Sequence, residues 1–349
     1  MNGSPVDIII FAPLAPIFGV ALLWFIQLLF IEFQKLLLSK IKRNHQAFCR
    51  FTNFIGILFQ SICHALGFTV TKSGIAHFKV TVDYGRVKPK KNRKGLFEWI
   101  SNSFLFIGPF FLPALLILGC FVLINGGIDV TSSVNYTFAE GVINFFSNVY
   151  VLLEKFIILL VRIDLLHPVQ LAFFILLVFL GLGIRPSYIG EDKRRKVDMM
   201  YDLRNIWSHI TRKPLYVILL FLLAYVLSYL SVLFNTNWYV FLFSILGWLS
   251  VTSIVALFIA QVIILLIKTT DEIPGRLKIL TYITLPLSYI IMRMIFFVFS
   301  VEIYGYKTIS LLVMILSTVL VTFLLLYYKT NKFKTKINMK SLKKKTKET

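Results

Sequence analysis

The chain reads as an all-α polytopic membrane protein with about seven to nine membrane helices and a small β-hairpin after the second hydrophobic segment. Three observations predict this. Mean hydropathy is +0.80, with 58% hydrophobic and 15% charged residues over 349 positions, more apolar surface than a soluble core hides. Several apolar runs approach the roughly 20 residues a helix needs to cross the hydrocarbon core. The formal net charge of +21 is concentrated beside those runs rather than on a separate soluble domain. That placement fits positive-inside topology and anionic lipid head groups as partners, and it argues against nucleic acid.

In chain order, the first run, 8–31, lacks a basic leader and a small-residue cleavage site, so it predicts a retained span. Further clear runs occupy 103–124, 168–184, 215–234, 239–267, 279–300 and 307–328. Lysine and arginine orient them. The clusters at 88–94, 185–213 and from Lys329 onward belong inside, whereas 125–140 has no lysine or arginine and belongs outside with Asn237 to Tyr239. The multi-pass chain is therefore expected in the plasma membrane with its tail cytoplasmic. Asn135 to Thr137 (NYT) matches a glycosylation sequon on the outer side.

Two segments remain open under this scheme. Residues 51–70 lie between two basic stretches, so they either enter and leave on the cytoplasmic side, sit half-buried among other helices, or span against the charge rule. Residues 142–162 meet the same difficulty on the other face and read as an interfacial helix, with Glu154 and Lys155 near head groups.

From Ile75 to Val87, Phe78, Val80, Val82 and Tyr84 alternate with Lys79, Thr81 and Asp83. A period of two predicts a strand, and Asp83 to Arg86 (DYGR) supplies the turn or bulge of a hairpin.

The hairpin follows QSICHALG at 60–67 and precedes FIGPFFLPALLILG at 106–119. A zinc-peptidase helix carries H-E-x-x-H because residues four apart share a face, where two imidazoles take the metal and the glutamate polarises a water. With His64 as the second histidine, Gln60 stands at the first and Ser61 at the glutamate. The order of a degenerate H-E-x-x-H-A-x-G, a hairpin and a glycine-proline helix (Gly108, Pro109) resembles the site-2-protease-like intramembrane metallopeptidases over about residues 50 to 195. RPSYIGED at 185–192 resembles a third family element with a different aspartate offset, which would give Asp192 a ligand role. The resemblance implies a pseudopeptidase, because glutamine is a poor zinc ligand and serine is no carboxylate base. It also implies a groove that binds a membrane protein or peptide.

Two further readings stay open. One is a membrane-embedded zinc metallopeptidase whose metal site is rebuilt from His64, His77, Asp83, Asp192 or Cys63, against a bland alternative in which His64 only hydrogen-bonds within the bundle. The other is a transporter or lipid-handling protein built on Arg293, since an arginine within an apolar run is costly; it may equally snorkel or pair inside the bundle. Gln261, Ser250, Thr252 and Ser253 are expected interhelical hydrogen-bond partners, and Pro286 a kink.

These readings divide the chain into a metallopeptidase-like bundle at 1–184 with its hairpin at 75–87, a cytoplasmic amphipathic linker at 185–214, a four-helix membrane extension at 215–328, and a basic disordered tail at 329–349. Cys49, Cys63 and Cys120 form no disulfide framework or CxxC pattern. The chain also lacks a P-loop, a GxSxG, a Rossmann fingerprint and an intact HExxH, so no common enzyme class has its chemical minimum and no cofactor other than zinc is implied.

Overall fold

The computed structural model describes residues 4, 6–127, 137–184, 201–273, 275–299 and 305–345, with side chains to Lys329. A short π-helical turn, Asp7–Phe11, leads into α1 (Leu14–Ile41) and α2 (Gln46–Val70). The hairpin β1 (Ile75–Val80) and β2 (Gly85–Pro89) follows, then α3 (Leu96–Asn125), α4 (Phe138–Val161), α5 (Pro168–Gly183) and α6 (Tyr201–Arg212). The chain continues through α7 (Pro214–Leu233), α8 (Trp238–Asp271), α9 (Lys278–Val298) and α10 (Tyr306–Lys345).

Eight of the described helices are long and apolar enough to cross a membrane, which makes this a helical multi-pass architecture with one small two-stranded sheet. The set differs from the expected one. Both α2 and α4 qualify, while α5, with 16 residues, falls short of the length of a span. One face of α4 packs against its neighbours: Phe145, Val149, Leu152 and Phe156 are buried, and Phe145 fills the space left by Gly19 of α1 and Gly247 of α8. Helix α10 runs on through Lys345, into the stretch whose charge predicts disorder. No glycine or proline interrupts it, and lysine is a good helix former.

Packing divides the chain into two compact units, Met1–Ile157 with Ala172–Gln261, and Ile158–Leu171 with Val262–Thr349. In the first unit, polar side chains close the bundle by bonding to backbone carbonyls. Gln27, fully buried on α1, donates Nε2 to the carbonyl of Phe110 at 2.9 Å, and Ser253 Oγ donates to the same carbonyl at 3.2 Å. The Phe110 carbonyl lies between Pro109 and Pro113, in a stretch of α3 where the missing proline N–H groups leave the Leu105 and Pro109 carbonyls without their intrahelical donors. Gln34 reaches the carbonyls of Gly181 and Leu182 at 3.3 and 3.2 Å, and Gln261 reaches that of Phe30 at 2.7 Å. Each bond contributes about 1 kcal/mol net. Of the hydroxyls expected to bridge helices, Ser253 does so, whereas Ser250 bonds within its own helix to Leu246 and Thr252 Oγ1 has no partner among the described residues.

Helix α7 contrasts with this interior. Only 6% of its apolar window is buried, against 50% for α2, which leaves Leu215, Ile218, Leu222 and Leu233 facing outward as lipid-facing side chains do.

In the second unit, α9 and α10 form an antiparallel pair. Lys329, where the apolar part of α10 ends, donates to the carbonyl of Glu272 just before α9, and Thr270 and Tyr282 hydroxyls meet at 2.6 Å.

Candidate functional site

Helix α2 carries the degenerate motif, and two surfaces cover it. One is α3. A Cβ at Gly108 would stand 2.8 Å from Cys63 Sγ, and a Cβ at Gly67 2.8 Å from the carbonyl of Ser101, so α2 and α3 cross at small residues. The glycine of the HALG stretch and that of the GP pair are thus both packing positions. Pro109 is buried beside Gly108, inside α3.

The other surface is the hairpin. The antiparallel register sets Phe78 opposite Val87 and Val80 opposite Gly85 on one face, with Lys79 opposite Arg86 and His77 opposite Lys88 on the other. The first face meets α2: a Cβ at Gly85 would collide with Ser61 Oγ and stand 3.0 Å from Ile57 Cγ2. Ser61, at 4% exposure, is therefore sealed by the backbone of β2, at the position where an H-E-x-x-H helix would hold its water-activating carboxylate. Asn53 helps hold the turn, donating to the carbonyl of Val82 at 3.4 Å, and Arg50 pairs with Asp83 at 3.4 Å.

The other motif positions are not drawn together. Gln60 and His64 are half-buried, and the His64 ring lies 4.4 Å from that of Phe68. His77 is exposed on the face of β1 turned away from α2, and Asp83 is engaged by Arg50. Asp192, with the RPSYIGED segment, lies outside the described residues, as do Asn135 and Tyr136 of the sequon. Among the described residues, no group of three or more His, Cys, Asp or Glu side chains gathers to hold a metal ion. The donors around His64 do not fit zinc: the residue one turn back is an amide, the carboxylate position is a sealed hydroxyl, and His77 points the other way.

Arg293 and Gln261, the two polar positions singled out within apolar runs, sit in different units. Gln261 bonds to α1 as described above. Arg293 Nη2 meets Asp164 Oδ2 at 2.9 Å, and Lys307 Nζ approaches the same oxygen at 3.6 Å. Asp164 Oδ1 accepts the Leu166 N–H at 3.1 Å and faces the Tyr289 hydroxyl at 3.4 Å, while that hydroxyl accepts the Leu165 N–H at 3.0 Å. The guanidinium lies 4.7 Å over the Tyr306 ring, within cation–π range. Both oxygens of this carboxylate are engaged, which makes the cluster a clamp between the 162–168 stretch, α9 and α10. Arg293 lies near the end of α9, level with the first turn of α10, and not at the middle of a span. Sequence reasoning missed Asp164, Tyr289 and Lys307; the one available signal was an aspartate stranded between two apolar runs in Arg162 to Pro168 (RIDLLHP).

A third polar cluster joins α6 to α3. His209 stacks on Trp99 at 5.1 Å between planes only 13° apart, and its Nε2 lies 3.0 Å from Ser103 Oγ. Burial, reinforced by Arg212 and Lys213, pushes the imidazole below its ordinary 6.5 despite a bond with the Trp99 backbone that acts the other way.

No family model, no curated protein and no solved structure matches the chain.

Proposed function

We propose that this membrane protein is a non-catalytic, site-2-protease-like protein that holds an extended segment of a membrane protein or peptide along β1. The contact of Gly85 with Ser61 carries this reading, because it fills the position a metallopeptidase keeps open for its water and carboxylate. The binding edge follows from the ladder. Thr81 N–H bonds to the Tyr84 carbonyl at 2.9 Å, so the 81/84 pair is hydrogen-bonded and the alternation turns the backbone groups of Phe78 and Val80 to the outer edge. No described residue bonds them there. An extended segment adds to such an edge by main-chain hydrogen bonds, with the half-exposed Phe78 beside it.

The test is zinc content of the detergent-purified protein by mass spectrometry, beside His64→Ala, combined with a photocrosslinker at Phe78. The expected result is background zinc in both proteins and a membrane-protein adduct from residue 78. Near-stoichiometric zinc lost in His64→Ala would instead establish a rebuilt metallopeptidase site, and crosslinks to lipid alone would remove the peptide.

A further inference from the structure

The face of the hairpin turned away from α2 is a basic ladder. Lys79 stands directly opposite Arg86, two like charges, and Lys88 follows on the same face opposite His77, all four exposed. The pairing continues past the strands, where the Lys90 and Lys91 N–H groups bond to the carbonyls of Gly74 and Ser73 at 3.0 and 2.9 Å. These lysines are therefore fixed to the sheet rather than set on a free loop. The acidic residue of the turn, Asp83, is engaged by Arg50. Among the described residues, no carboxylate lies within ion-pair distance of Lys79, Arg86 or Lys88.

Such an arrangement works against itself. Like charges directly opposite on an antiparallel pair are destabilising, and a two-stranded hairpin is marginal even without them. A ladder built this way gains most from an array of anions spread across it.

We propose that this face binds the phosphate groups of anionic phospholipids, and that the bilayer surface completes the hairpin's stability. Charge complementarity chooses the partner, and position agrees. The hairpin stands between α2 and α3, two helices long and apolar enough to cross a membrane. Leu96 and Phe97, 43% and 49% exposed, follow Arg93 and Lys94 after the single residue Gly95, so apolar side chains lie close to charged ones as they do at a head-group boundary. The inference uses the face opposite the α2 contact and does not depend on the peptide reading.

The experiment is hydrogen exchange of the full chain in nanodiscs of phosphatidylcholine alone or mixed with phosphatidylglycerol. Amides of β1 and β2 should exchange about fivefold more slowly in the anionic discs, the upper size expected for relieving one opposed pair. High salt should remove the slowing. The variant Lys79→Gln/Arg86→Gln/Lys88→Gln should show the same exchange in both discs, and in neutral discs it should be no less protected than the parent, because its repulsion is gone. Lys90→Gln/Lys91→Gln leaves every strand side chain intact and should weaken the lipid effect without touching the neutral-disc value. Equal exchange of the parent protein in the two discs overturns the proposal. So does full slowing in neutral discs by soluble polyglutamate, which would make the partner an acidic protein segment.

Discussion

The two units keep polar groups among apolar helices by different means, and the difference shows what each is built to tolerate. In the first, neutral amides and hydroxyls bond to backbone carbonyls of neighbouring helices, as Gln27 and Ser253 do at Phe110. Losing one such bond exposes a single neutral group. In the second, one carboxylate holds two cations, one backbone N–H and one hydroxyl together at Asp164. Losing that carboxylate strands charge. The first arrangement is distributed and the second concentrated.

Substitution at the clamp should therefore have the largest effect. Asp164→Asn leaves Arg293, with a side chain only 15% exposed, beside Lys307 without its anion. It is expected to cost about 3 kcal/mol, read as a lowered Tm in detergent, and the double variant Asp164→Asn/Arg293→Gln should recover most of the loss. No recovery in the double variant would mean that the pair is not the clamp. Next comes overpacking at the α2–α3 crossing: Gly108→Val drives a branched side chain into Cys63 and should cost about 2 kcal/mol, with Cys63→Ala in the same chain restoring part of it. An unchanged Tm would show that the two helices stand further apart than described.

Gln27→Leu should be milder, at about 1 kcal/mol, because Ser253 remains on the Phe110 carbonyl; combined with Ser253→Ala, the loss should exceed the sum of the two single changes. Strict additivity would argue against a shared acceptor.

How much of this could be read beforehand depends on the range of the interaction. The hairpin was legible because alternation is local, and the register confirms that Phe78 and Val80 share a face. The Q-S-x-x-H spacing set Gln60 and Ser61 apart from an H-E-x-x-H helix at once. What covers Ser61 was not legible, since Gly85 reaches it only after the chain turns back through the hairpin. Likewise Arg293 could be marked as unusual from its neighbours alone, but its partner lies 129 residues earlier, in the short stretch between the apolar runs 142–162 and 168–184.

The smallest expected effect is a pH response at the α6–α3 contact. Burial lowers the His209 value, so folding favours the neutral ring. Its contribution is full above the unfolded value of 6.5 and is lost as pH falls through the lowered folded value. Trp99 fluorescence, taken as the difference from Trp99→Phe, should stay level above pH 6.5 and drop only as pH falls below it, where the stacked imidazole becomes charged. A flat difference signal would place His209 outside the contact.

The central claim is that β2 lies directly on α2 at Ser61. Its most direct test is the pair Ser61→Cys/Gly85→Cys in a chain with Cys49, Cys63 and Cys120 replaced, oxidised mildly in native membranes. The account predicts near-complete disulfide formation and protection of both thiols from a water-soluble maleimide before oxidation. Absence of the disulfide, with both cysteines freely labelled, would contradict it and leave an open cleft at His64 where chemistry has room to occur.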